Sequence, residues 1–237
     1  MTRPSRILGI DVGGSGLKAA IVDANGKILG RRVRVKTPHP GPPDVIVPAL
    51  VELAGKLGRF DHIAIGFPGY VKRGRVITAP NLGTEAWAGY PLAETLARKL
   101  GKPAKLANDA DMQGLAAIEG TGLELAITLG TGFGSSWFRD GELLPHMELA
   151  HYPARHGGDY DAYLGDKTRK KIGSAKWNKR VQKTLATLAT VFNYDHLYIG
   201  GGNAHRIKFK LPPRVSLVSN DDGLKGGAWL WHARTKA

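Results

Sequence analysis

The chain has 237 residues, 42% of them hydrophobic, enough for one large domain or two small ones with real cores. It has no cysteine, which excludes disulfides and thiolate metal sites, and no apolar run near the ~20 residues of a membrane span. The net charge of +14, from 34 Lys and Arg against 20 Asp and Glu, favours a polyanionic partner, although a basic protein with no such ligand gives the same balance.

The N-terminal MTRPSR leads into an apolar run without a signal-peptide pattern, so a cytoplasmic enzyme is expected. Leu8 to Leu29, LGIDVGGSGLKAAIVDANGKIL, reads as strand, glycine-rich turn, strand, Asn-Gly turn and short strand. A Pro-rich connection, TPHPGPP, follows, then a helix near Val45 to Leu57 and a buried strand, HIAIGFPG, from His62 to Gly69. Leu92 to Leu100 reads as a helix, Ala104 to Asp109 as a short strand, and a further helix runs through Ala117. The first theme then returns about 120 residues on: Ala126 to Leu144, AITLGTGFGSSWFRDGELL, is again strand, glycine turn, strand, Asp-Gly turn, strand.

A loop-rich stretch is expected from Pro145 to about Gly173, with Ser174 as N-cap of the next helix. In that helix Trp177, Val181, Leu185, Leu188 and Phe192 recur at steps of four, four, three and four, giving one apolar face. Strands at HLYIGGG and Val215 to Val218 follow, and Leu224 to Ala233 reads as a closing helix. Strands mixed with helices in both halves indicate an α/β chain. We expect two lobes, 1–107 and 108–237, with the last helix packing back on the first.

Glycine turns let backbone amides approach phosphate oxygens. The first turn is neither a Walker loop nor a dinucleotide fingerprint, because its glycines open a strand, not a helix. Gly13, Gly14 and Ser15 would face phosphate, and Asp11 would orient Mg2+ through its waters. Lys18 would either reach phosphate or stand solvated on its strand. The second turn, Gly130, Thr131, Gly132, Phe133, Gly134 and Ser135, adds hydroxyl donors. Two such turns, one per half, suggest a phosphotransferase gripping one ligand in a cleft. From the residues alone, Asn108 and Asp109 are either functional or simply cap the helix after them.

Six motifs in order, DVGGSGLK, GFPG (Gly66 to Gly69), APNLG (Ala79 to Gly83), NDAD (Asn108 to Asp111), LGTGFGS and IGGG (Ile199 to Gly202), resemble the ROK family of sugar kinases and regulators. That family lies within the actin/hexokinase-like superfamily, so the resemblance implies two ribonuclease-H-like, actin-like ATPase lobes with a cleft between them. A stretch like ELxH…HGGD…W…KR, from Glu148 to Arg180, is most similar to the polyphosphate glucokinase branch. The resemblance implies transfer of phosphate to the glucose 6-hydroxyl from polyphosphate or ATP, with Mg2+. Asp109 would be the catalytic base. Asn81, Asn108, Asp109, Glu148 and His151 would hold the sugar, whose hydroxyls need groups that donate and accept. Gly200 to Gly202 would suit adenosine. A histidine like His151 ligates zinc elsewhere in the family, but without cysteine partners it is assigned to sugar, and no structural zinc is expected.

Two departures bear on the sugar pocket. Ala150 stands where the family has glycine, and Asp161 is the nearest match to a family glutamate. From Gly165 to Lys183, eight cations face the single Asp166. Lys176, Lys179, Arg180 and Lys183 on exposed faces would guide polyphosphate, or form only a solvated helix face. Expected partners are glucose and inorganic polyphosphate or ATP, with no nucleic acid or membrane, in a homodimer. A strictly ATP-dependent hexokinase, a non-catalytic sugar-binding protein and a sugar-sensing repressor are the alternatives. The repressors carry a DNA-binding segment ahead of the kinase-like core, for which the position of Asp11 leaves no room.

Overall fold

The computed structural model describes residues 6–154, 158–219 and 223–232. Backbone packing separates two units, Met1–Ala116 with Asp221–Ala233, and Ala117–Asn220 with Arg234–Ala237.

The first unit begins with β1 (Arg6–Val12), β2 (Gly16–Asp23) and β3 (Ile28–Lys36). β1 is an almost unbroken apolar run and is buried on both faces, whereas β3 alternates Arg and Lys with Val. β3 accordingly lies at the sheet edge, where charge suits an unpaired side. The β2–β3 turn is built on Asn25 and Gly26, with Asp23 Oδ1 accepting the amides of Asn25 and Lys27 at 2.8 and 2.9 Å. α1 (Pro43–Gly55) starts on a proline, whose missing amide costs nothing there, and buries Ile46, Val47, Leu50 and Leu53. β4 (His62–Phe67), the small hairpin of β5 (Val71–Lys72) and β6 (Arg75–Val76), and the one-turn α2 (Thr84–Trp87) follow. α3 (Leu92–Leu100) ends on left-handed Gly101, β7 (Ala104–Asn108) completes the sheet, and α4 (Asp109–Ala117) leaves its end.

The sheet order is β3-β2-β1-β4-β7, with β1, β2 and β3 antiparallel and β1, β4 and β7 parallel. Its core joins Leu8, Ile10, Leu17, Leu50, Ile65, Phe67 and Trp87. The buried Trp87 indole donates to the Gly41 carbonyl at 2.9 Å.

The second unit repeats the pattern. β8 (Leu123–Leu129), β9 (Phe133–Arg139) and β10 (Glu142–Leu143) form the antiparallel part, turning at Asp140 and Gly141, both of positive φ. α5 (Tyr160–Leu164), α6 (Asp166–Ile172) and α7 (Ser174–Phe192) precede β11 (His196–Gly200) and β12 (Val215–Leu217). The order is β10-β9-β8-β11-β12, with β8, β11 and β12 parallel. Trp177, Val181, Leu185 and Leu188 of α7 are buried against this sheet, and Phe192 meets Trp137 edge-on at 4.3 Å between ring centroids. The last described helix is α8 (Gly223–Gly226), which packs on β1 and β2 and belongs to the first unit.

Four expectations are corrected. The boundary placed before residue 108 falls between Ala116 and Ala117, at the very end of α4, and Met112 of that helix packs against Gly66 of the first sheet. The stretch taken as loop-rich holds α5 and α6, whose short apolar sets are too brief to show a helical period. Ser174 is already helical; Gly173 stands at the N-cap position and no side chain caps it. The closing helix is a single turn, Gly223–Gly226, and position 233 of the expected span lies outside the described residues.

Candidate active site

Parallel pairing brings the first unit's motifs to one sheet edge. Asp11 sits opposite Gly66, and Phe67 opposite Asn108. The β1 turn, the GFPG turn and the NDAD junction therefore meet at the C-terminal ends of parallel strands, the edge where open α/β sheets bind ligands.

In the glycine turn the Gly13 amide donates to the Gly16 carbonyl at 3.1 Å. Thr37 Oγ1 donates to the Gly13 carbonyl at 2.5 Å, and His39 Nε2 to the Gly14 carbonyl at 2.7 Å. Two carbonyls are thus tied to the protein, while the amides of Gly14 and Ser15 have no protein acceptor among the described residues. An anion brought to this turn would find two of its carbonyls already occupied and the Gly14 and Ser15 amides uncommitted. Thr37 and His39 were missed in the sequence, where TPHPGPP reads only as a connection. Asn81 flanks the turn, with its Cβ 3.5 Å from where a Gly14 side chain would begin.

Lys18 stands directly across the ladder from Asp11 and binds its Oδ2 at 3.0 Å. It is therefore an ion-pair partner of Asp11 and not an isolated, solvated lysine. Asp109 is the first residue of α4. Burial first, and then the nearby charge of Asp11, push its carboxyl up to about 7. Asn108 does the capping: its Oδ1 accepts the Ala110 amide at 2.8 Å and its Nδ2 donates to the Gly69 carbonyl at 3.0 Å. Asp109 Oδ1 shares that amide at 2.9 Å. A carboxylate spent only on capping would sit low; this one is held near neutrality, where a base works best.

The second turn is clasped from behind. The Gly130 amide donates to the Gly132 carbonyl at 3.0 Å, and the Asp166 amide reaches the carbonyls of Gly130 and Thr131 at 3.0 and 3.2 Å. Asn203, just past the IGGG run, donates to the Gly130 carbonyl at 3.2 Å. Asp161 Oδ1 accepts the Phe133 amide at 2.8 Å, and any Cβ at Gly132 would collide with that carboxylate. Asp161 thus braces the turn, and one of the turn's own amides is already given to a carboxylate. Replacing Asp161 with Ala is expected to speed exchange of the Phe133 amide hydrogen about tenfold, the effect of losing one such bond. Unchanged exchange, read by hydrogen–deuterium exchange, refutes the brace.

Glu148 Oε1 accepts from His146 Nε2 at 2.9 Å, and that bond draws the Glu148 carboxyl below its usual range against the opposing effect of burial. His151 Nδ1 lies 3.4 Å from Asp159 Oδ2, and the ring is 73% exposed. His151 and Asp159, with Pro153, Ala154, Gly158 and Ala162, line an open depression of about 560 Å³. His146 did not stand out in the sequence, and Asp159, the last residue of HGGD, was given no role there. Ala150 sits in a right-handed 3-10 turn, Leu149–His151, so the alanine carries no strain there.

In the basic segment Asp166 pairs with Arg169 and Lys170, both at 2.7 Å, and these hold its carboxyl far below the usual range. Lys176, Lys179 and Lys183 are exposed on α7. Arg180 is not free: it stacks over the Tyr163 ring at 4.3 Å and donates to the Tyr163 carbonyl at 3.1 Å. Its period of three from Trp177 points it back towards α5, which sequence alone did not place.

Two sheets of one topology, each with a glycine turn at the end of its first strand, define an α/β protein of the actin-like class. Residues 7–150 match the model of the ROK family, and the chain belongs to that family. It is 30% identical to the polyphosphate glucokinase of Mycobacterium tuberculosis over 93% of this chain and 89% of that one. The crystal structure of an inorganic polyphosphate/ATP-glucomannokinase from Arthrobacter sp. strain KM superposes with a TM-score of 0.82 at 30% identity, covering 94% of this chain and 97% of that one. A ROK family glucokinase from Streptomyces griseus, solved with glucose and AMPPNP, shares the fold at a TM-score of 0.73 and 21% identity, over 97% and 99% of the two chains.

Proposed function

We propose that this protein is a glucokinase that moves a phosphoryl group from inorganic polyphosphate, and also from ATP, to the 6-hydroxyl of glucose. The observation that carries the reading is the strand edge holding Asp109, raised to about 7, beside Asp11 and a turn whose carbonyls are tied away. The relatives' activities and the +14 charge support polyphosphate as donor.

In this reading Asp109 accepts the proton of the 6-hydroxyl as its oxygen forms a bond to the terminal phosphorus. The bond from that phosphorus to the bridging oxygen breaks, and the shortened donor leaves with the electron pair. Asn108, tethered to Gly69, fixes the segment that carries the base. Gly13, Gly14 and Ser15, and Gly130, Thr131, Gly132 and Gly134, bind phosphate, with Lys18 adding charge. Asn81, Asn108, Glu148 and His151 bind the sugar. Mg2+ fits Asp11, whose side chain is 25% exposed and whose Oδ1 has no partner among the described residues; one carboxylate plus donor oxygens suits that ion, which supplies charge neutralisation.

We further read the two units as ribonuclease-H-like lobes, and the protein as a cytoplasmic homodimer that binds neither nucleic acid nor membrane. Among the described residues no helix is long and apolar enough to cross a membrane.

The direct test is glucose 6-phosphate formation with polyphosphate and with ATP in separate reactions. Product with both is expected; product with ATP alone makes the donor strictly a nucleotide. Glu148→Ala and His151→Ala are each expected to raise the KM for glucose, leaving that for donor within about twofold. Loss of one partner from a bound hydroxyl costs about 1–3 kcal/mol. Unchanged glucose KM in both variants moves the sugar pocket elsewhere.

A further inference from the structure

Beside the first glycine turn lies a row of cations that the basic segment on α7 does not include. β2 and β3 pair so that Lys18 lies directly opposite Arg34, and Gly16 opposite Lys36. Asp11 lies opposite Lys18 on the other side. Directly opposed residues share a face of a sheet, so Asp11, Lys18 and Arg34 form one line across three strands, with Lys36 two residues beyond Arg34 on the same face. Val33 and Val35 point the other way, into the core.

The arrangement is unfavourable as it stands. Like charges directly opposed across a ladder repel. Asp11 offsets Lys18, but Arg34 and Lys36 are exposed and have no carboxylate partner among the described residues. Arg34 also does not extend away from the turn. Its Nε lies 2.7 Å, and its Nη2 3.1 Å, from where a side chain at Gly16 would begin. The guanidinium lies over Gly16, where β2 leaves the turn, in space that only glycine leaves open.

We propose that Lys18, Arg34 and Lys36 form an anion subsite that continues from the turn along β2 and β3 and holds units of a condensed phosphate chain beyond the one transferred. This rests on reading the Gly13–Ser15 turn as phosphate-binding. Cross-strand neighbours lie about 5 Å apart and residues two apart on a strand about 7 Å, so the three cations meet a chain charged at every unit. Guanidinium groups suit phosphate in particular, since their fork can bind two oxygens at once. The row carries no aromatic side chain on β3, as a single-stranded nucleic-acid site would for stacking bases.

The test is direct binding of end-labelled long-chain polyphosphate, by fluorescence anisotropy across a salt series, to wild type, Arg34→Gln/Lys36→Gln and Arg34→Lys/Lys36→Arg. The neutral variant is expected to bind about tenfold more weakly at low salt. Its slope of log affinity against log salt should be shallower by about 1.4, from about 0.7 per lost contact. The charge-keeping variant retains most of the affinity and the slope, which separates charge from folding. Binding by the neutral variant within twofold of wild type, at an unchanged slope, overturns the subsite. Equal loss in the charge-keeping variant also overturns it. So does single-stranded RNA that competes as well as polyphosphate, because the face then takes any polyanion. Turnover separates this from the kinase reading. Polyphosphate-dependent glucose phosphorylation together with unaltered binding in the neutral variant leaves the enzyme intact and removes the subsite. No product from wild type with either donor removes the enzyme reading, while the binding result still decides the subsite.

Discussion

Replacing Asp109 with Asn is expected to remove about 10²–10⁴-fold of glucose phosphorylation, the usual loss when a general base is deleted, while the KM for glucose stays near wild type. The pH profile of the wild type should report the same group. Asp109 works only when deprotonated, and burial and the Asp11 charge raise it to about 7, so kcat/KM falls tenfold per pH unit below about 7 and levels above it. Asp11→Asn removes a charge that disfavours ionisation, so the acid limb moves to lower pH even as turnover drops. Stability runs the other way from activity. The folded state keeps the Asp109 proton up to about 7, whereas the unfolded chain loses it near 3.8, so this carboxyl destabilises the fold increasingly as pH rises through that window. Asp109→Asn is therefore expected to melt above wild type, by more at pH 8 than at pH 5. Near-wild-type turnover in the variant, or an acid limb near pH 4, excludes Asp109 as the base.

Long polyphosphate is expected to support faster turnover than ATP at matched donor concentration in low salt, and to lose that lead steeply as salt rises. A dense polyanion sheds condensed counterions on binding, so with six contacts at about 0.7 each, affinity drops on the order of 10²-fold between 50 and 200 mM salt. ATP carries far fewer charges and should show a shallow slope. Lys176, Lys179 and Lys183 are exposed on α7 and, among the described residues, lack the tertiary partners that hold Arg180. Changing those three to Gln should weaken polyphosphate more than ATP and flatten the slope by about 2. Arg180 is left out, because its loss would strip a cation from the Tyr163 ring and confuse folding with binding. Equal losses with both donors reduce the helix to a solvated face.

The local events are legible in the amino-acid order. The two strand–turn–strand–turn–strand runs, the Asn-Gly and Asp-Gly turns, the span of α3 and the buried stripe of α7 all emerge from short-range rules: glycine's backbone freedom, the two-residue strand period and the helical repeat. The order of six motifs also carried the family. Everything that depends on pairing between distant strands or on burial came from the three-dimensional packing. Register between β1, β4 and β7 brings Asp11, Gly66 and Asn108 to one edge. The dielectric there, not the residue type, moves Asp109 to about 7. Thr37 and His39 tie back the first turn from across a proline-rich connection, and Asp161 braces the second from 28 residues away. Arg180 is held by an α5 whose five residues are too few to carry a helical period. Local propensity cannot encode these contacts, because each exists only once sheet register and helix packing have set two remote backbones against each other.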